Sequence, residues 1–198
     1  LFYQNPLYSK SKTLNDFNSQ HLSNYFSGIV AHENKNNLKA LKFFRLSNHL
    51  INKHDPYLER YIYSLILENK VQQAINEIKE NLTQDNSNFY EAYIILAVDS
   101  FKKKNFKKSK YYLDQSYKFI NNDRFALIIY ESFKQYLYVF EENKILKSKK
   151  KLGNLSLINE IFQRCYLGDK NTKNYFQSLI NSQSNIDDSR YIFFNINY

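Results

Sequence analysis

Three stretches of this chain follow one pattern. Leu38–Leu46 reads LKALKFFRL, Val71–Asn81 reads VQQAINEIKEN and Phe106–Ser116 reads FKKSKYYLDQS. Each carries a small residue followed four positions later by a large apolar one: Ala40 with Phe44, Ala74 with Ile78, Ser109 with Leu113. The small residues are 34 and 35 residues apart. A period of this size marks helical hairpins stacked in an array. The small side chain lets neighbouring helices approach, and the large one fills the gap between them.

Working outward, the polar run Glu33–Asn37 separates a helix over 21–33 from one over Leu38–Asn52 that turns Leu38, Ala40, Leu41, Phe44 and Leu50 inward. Asp55-Pro56 is a helix start: an N-cap, then a proline where no N–H partner is needed. That helix runs to about Glu68. Beyond the turn Glu68-Asn69-Lys70, the next spans Val71–Leu82. Asn88 opens the third hairpin, with Glu91 in the capping-box position. Asp123–Glu141 reads as one long aromatic-rich helix, Lys144–Lys151 as a linker or a degenerate partner helix, and Leu155–Leu167 with Lys173–Ile180 as a further hairpin. Ser189–Tyr198 starts one more helix, whose Ile192, Phe193, Phe194 and Ile196 either pack back on the previous hairpin or lead into further chain. The organisation expected is an irregular N-terminal arm over 1–20, three hairpins over 21–120 and degenerate helical repeats over 121–198.

The composition agrees. With 3 Gly and 2 Pro in 198 residues, the chain lacks the breakers that a barrel or sandwich with many tight turns needs. The fold class is therefore all-α: a superhelical array of antiparallel helical hairpins, an α-solenoid. The net charge of +9 invites a nucleic-acid or membrane reading. However, Lys outnumbers Arg 23 to 5, and Lys, Asn, Ile, Phe and Tyr all have AT-rich codons, so composition alone accounts for the charge. One cysteine, Cys165, excludes an internal disulfide. No apolar run approaches the roughly 20 residues that cross a bilayer.

The three hairpins resemble tetratricopeptide repeats. That family places a large residue, Leu-Gly and Tyr on the first helix, then Ala, an aromatic and a second small residue on the next. Tyr93, Leu96 and Ala97 match the first part; Phe106, Ser109, Leu113 and Ser116 match the second. Gly28, Ala40, Phe44 and Ser47 match in the first hairpin, and Val71, Ala74 and Ile78 in the second. Ile62 and Asn81 depart from the pattern, standing where the family prefers small residues. The match covers about 21–120, with a weaker one over 155–180. The segment from Leu22 to Ser109 also resembles the N-terminal part of alphaproteobacterial tetratricopeptide proteins, which are often exported. That resemblance implies the periplasm ahead of the cytoplasm, with any signal peptide upstream of Leu1.

No catalytic, cofactor or metal constellation emerges. The histidines, His21, His32, His49 and His54, have no ligand spacing and read as surface or hairpin-junction residues. Cys165, between Phe162 and Tyr166, reads as an inward structural thiol rather than a nucleophile. Lys102–Lys104 and Lys107-Lys108 flank the turn at Asn105, where solvated lysines are expected, and Phe101 and Phe106 fall at the packed interface rather than on a base-stacking platform. The function expected is a non-catalytic protein-interaction scaffold whose protein or peptide partner is not specified by the sequence, with nucleic acid disfavoured. The alternatives are a basic helical-repeat RNA binder and an accessory or assembly subunit. In tetratricopeptide arrays the first helix of each hairpin lines a concave groove. The resemblance carries that role to Tyr25, Ile29 and His32; to Glu59, Tyr63 and Ile66; and to Ile94, Val98, Phe101 and Lys102. This mixture of apolar and charged residues suits an extended or amphipathic peptide.

Overall fold

The turn between the paired helices of each hairpin sets the architecture. The computed structural model describes residues 18–51, 53–54, 56–82, 89–148 and 152–181. Among them all regular structure is helical, in nine α-helices: α1 Ser19–Glu33, α2 Asn37–Leu46, α3 Pro56–Leu67, α4 Val71–Asn81, α5 Tyr90–Lys102, α6 Phe106–Ser116, α7 Arg124–Glu142, α8 Asn154–Tyr166 and α9 Thr172–Asn181. Short 3-10 turns, Asn48–Leu50 and Tyr117–Phe119, extend α2 and α6.

Helices α1, α3 and α5 end alike. One residue just past each helix adopts positive φ: Lys35 (58°), Asn69 (56°) and Lys104 (57°). Its N–H bonds back three residues, to the carbonyls of His32, Ile66 and Phe101. The next N–H bonds back five, Asn36 to Ala31, Lys70 to Leu65 and Asn105 to Ser100, at 2.8–2.9 Å. This left-handed cap satisfies carbonyls the helix leaves unpaired. The residue that completes it is also the N-cap of the following helix; Asn36 and Asn105 accept from the N–H of Lys39 and Lys108. The same two bonds recur after α8, with Gly168 at φ 71°.

Four residues beyond each of the first three turns lies the small residue. Ala40, Ala74 and Ser109 are all 0% exposed, and their large companions Phe44, Ile78 and Leu113 no more than 1%. Three residues further on, Ser47, Asn81 and Ser116 are buried too, and each bonds back to its own helix, to Phe43 and Phe44, to Glu77 and to Leu113. Asn81 thus fills a position where a smaller residue was expected by satisfying its own amide.

The chain divides into two compact units between Asn88 and Phe89. In the first, α1 packs on α2, α2 on α3 and α3 on α4, around Leu41, Phe44, Tyr57, Leu58, Leu65 and Ile78. In the second, α5 packs on α6, α6 on α7, α7 on α8 and α8 on α9. Its larger core joins Ala97, Leu113, Ile120, Tyr130 and Leu137; a smaller one joins Ile161, Phe176 and Leu179.

Several local expectations are corrected. Leu38 is 65% exposed rather than inward. The N-cap of α5 is Phe89, which offers no side-chain acceptor, so Glu91 lies in the first turn without a described capping box. Asp55 and Asn88 lie outside the described residues, as do the arm before Asn18 and the segment after Asn181. Residues 145–148 are neither helix nor turn. They are held by α8: Leu146 N–H donates to Gln163 Oε1 (2.8 Å), and Gln163 Nε2 donates to Leu146 O (3.2 Å) and Gln135 Oε1 (3.1 Å). Gln163 and Gln135 are essentially fully buried.

Candidate functional site

In the first unit the candidate residues lie on α1 and α3. The two helices meet at Tyr25, whose ring is 6.1 Å from Tyr57 and 5.9 Å from the Arg60 guanidinium, with His54 edge-on at 4.8 Å. Tyr25 is 2% exposed, and burial holds its hydroxyl above the ordinary tyrosine range. The groove assignment is therefore corrected for Tyr25: α3 closes over its ring, which belongs to the core. Ile29 and His32 continue the same stripe one and two turns on, and both are half-buried. His32 Nδ1 is buried and accepts or donates no hydrogen bond among the described residues. On α3, Glu59, Tyr63 and Ile66 share one stripe at i, i+4 and i+7; Glu59 and Ile66 are half-buried and Tyr63 is 37% exposed. The two stripes are part-apolar; His32 adds an imidazole to the first and Glu59 a carboxylate to the second.

In the second unit Val98 and Lys102 are exposed on α5, while Ile94 is half-buried and packs against the core. Phe101 is corrected as Tyr25 is. Its ring meets Phe106, Phe133 and Phe140 at centroid distances of 5.7, 5.6 and 5.0 Å, so it packs α5 against α6 and α7.

The histidines are more clustered than their spacing suggests. The rings of His21 and His49 lie 4.6 Å apart, tilted by 55°, and His21 Nδ1 lies 2.9 Å from Leu46 O. Among the described residues no three His, Cys, Asp or Glu side chains converge as a metal site. Cys165 is half-buried, and its neighbour Tyr166 is exposed and stacked on Phe140.

Two clefts escaped the sequence. One, of about 550 Å³, lies beside α1 and α2 and is lined by Phe26, Ser27, Val30, Lys39 and Phe43. Phe26 and Val30 are 55% and 60% exposed. Their i, i+4 spacing was the available signal. The other, of about 640 Å³, is lined by Leu38, Leu41, Lys42, Arg45, Leu46 and Lys70. Its residues come from α2 and the turn before α4, so no single stretch of sequence displays it.

No family model, curated protein or solved structure matches this chain. Its reading therefore rests on its own geometry. Among the described residues no helix is long and apolar enough to cross a membrane.

Proposed function

We propose that this protein is a non-catalytic interaction scaffold of tetratricopeptide type, and that the α1–α3 face of its first unit receives a peptide or partner helix. The recurrence of one backbone turn supports the repeat reading. The same two reverse hydrogen bonds at Lys35, Asn69 and Lys104 set a period of 34 and 35 residues, and a fully buried small residue follows each at a fixed distance. The recognition surface comprises two stripes, Ile29 and His32 on α1 and Glu59, Tyr63 and Ile66 on α3, of which Tyr63 is the most exposed residue. Its mixture of apolar contact area and a carboxylate fits an amphipathic ligand.

A photo-crosslinking residue placed at Tyr63, compared with one at Tyr111 on α6, tests this in lysate of the native organism. The proposal expects a discrete crosslinked protein from position 63 that is absent from position 111, and competition by an Ile29→Ala/Ile66→Ala double variant reduced by about tenfold or more. Identical products from both positions, or none from 63, overturn it.

A further inference from the structure

The α1–α2, α3–α4 and α5–α6 turns share one backbone conformation but not one charge. The corresponding residues are Asn34-Lys35-Asn36, Glu68-Asn69-Lys70 and Lys103-Lys104-Asn105. Glu33 precedes the first turn, and Lys102 precedes the third. The left-handed position is held by asparagine at Asn69 and by glycine at Gly168, so the turn itself does not require lysine. The nine residues Lys102–Lys110 contain six of the chain's 28 basic residues and none of its 19 acidic ones, leaving 22 against 19 elsewhere. A uniform codon bias spreads lysine along a chain; here nine consecutive residues at one hairpin end carry a net +6, and the linker 144–151 is the other dense run, at +5.

All six lysines are exposed. Lys103 pairs with Asp99 at 2.8 Å, while Lys102, Lys104, Lys107, Lys108 and Lys110 enter no ion pair among the described residues. At the edge of the cluster stand Val98, one turn before Lys102, and Tyr111, one turn after Lys107, which are 41% and 58% exposed. We propose that this end of the α5–α6 hairpin docks peripherally on an anionic lipid surface.

Three observations favour a lipid surface over single-stranded nucleic acid. The charges lie around an exposed turn, whereas strand binders line a groove. The cluster contains lysine only, a compact and strongly hydrated point charge, and no arginine, whose planar fork reads phosphates in pairs. Of the rings beside the cluster, Phe101 and Phe106 pack on each other and Lys108 covers Tyr112 at 5.8 Å, which leaves Tyr111 as a single exposed ring rather than a row of stacking platforms. A flat anionic leaflet needs none of these. It attracts clustered lysines through its surface potential, and an exposed tyrosine sits well at headgroup depth.

The test is flotation of the full chain with vesicles of phosphatidylcholine containing about 30% phosphatidylserine, at about 0.1 M salt, against vesicles of phosphatidylcholine alone. The wild-type chain should float with the anionic vesicles only. Each lysine near such a leaflet contributes about fivefold to affinity, so a Lys104→Gln/Lys107→Gln/Lys108→Gln variant should bind about a hundredfold more weakly. A Lys42→Gln/Lys170→Gln/Lys173→Gln variant removes the same charge from exposed positions elsewhere and should stay within about threefold of wild type. Circular dichroism should be the same for all three, because every substituted side chain is exposed. Equal losses in the two variants would assign the attraction to net charge and overturn the site. Failure of the wild type to float, or displacement from vesicles by a short single-stranded RNA through the same three lysines, would also overturn it.

Discussion

Gly28 offers the sharpest test of how tightly α1 and α2 are packed. In an open helix, Gly→Ala stabilises by about 1 kcal/mol, because alanine loses less backbone freedom. At Gly28 a Cβ would stand 2.8, 2.9 and 3.2 Å from three carbons of the Phe44 ring. Ordinary carbon contacts are about 3.5–4.0 Å, so the ring would have to retreat by roughly 0.7 Å. It has little room: Phe44 is 1% exposed, and Tyr25 and Tyr57 flank it at centroid distances of 6.0 and 6.3 Å. The Tyr57 hydroxyl, which donates to the Phe44 carbonyl, fixes the backbone beneath it. Overpacking of this kind costs about 1–3 kcal/mol. Set against the helix gain, Gly28→Ala should destabilise by about 1 kcal/mol, a fall of about 4–8 °C for a unit of this size. Urea unfolding of the single variants and of Gly28→Ala/Phe44→Leu measures the coupling. Because leucine vacates the ring's space, the double variant should be less destabilised than the two singles added, by about 0.5 kcal/mol or more. A rise in melting temperature for Gly28→Ala alone would refute the close packing of Phe44 on α1.

The left-handed caps yield the opposite sign. Lys35→Gly and Asn69→Gly should each stabilise by about 0.5–1 kcal/mol in chemical denaturation, since a side chain at positive φ carries a steric cost that glycine avoids. On α5 and α3, Phe101→Ala should destabilise by about 3–5 kcal/mol, whereas Tyr63→Ala, at a third exposed, should cost about 1 kcal/mol or less; thermal melts of the two variants separate a core ring from a surface one. Burial, reinforced by the Asp114 carboxylate, pushes Tyr130 up to about 12, and burial also raises Tyr57 and Tyr90. These hydroxyls keep their protons in the folded state after the unfolded chain has lost them. Their contribution to stability is therefore complete below about pH 10 and declines as pH rises through the folded values. Spectrophotometric titration of phenolate absorbance should show a late class of tyrosines that ionises together with unfolding.

The helical hairpins were legible because they rest on contacts local in sequence. Ala40, Ala74 and Ser109 lie four residues from their large companions, and Asp123 caps α7 by accepting from Phe125 and Ala126 as its type suggests. What stayed hidden depends on contacts between distant segments. Tyr25 and Phe101 fit a groove position by alignment, but α3 closes over one and α7 over the other. Nothing in the sequence marks Gln163 as a buried link, because its partners lie 17 and 28 residues away at Leu146 and Gln135. The sequence predicts solvated lysine at the third turn, and its lysines are exposed. Its contrast with the first two turns became visible only once the three could be aligned by their hydrogen bonds.

The repeated left-handed turn has a consequence for how this architecture is inherited. Its defining bonds run from main-chain N–H to main-chain carbonyl, so the position accepts lysine, asparagine or glycine without altering the path of the chain. The information that sets the period is therefore spread thinly over many interchangeable residues, with firm constraint only at the buried small positions. A lineage under strong nucleotide bias can replace nearly every exposed side chain in such a hairpin while its geometry persists. Likeness among such chains is then better preserved in the spacing of their turns than in the letters between them.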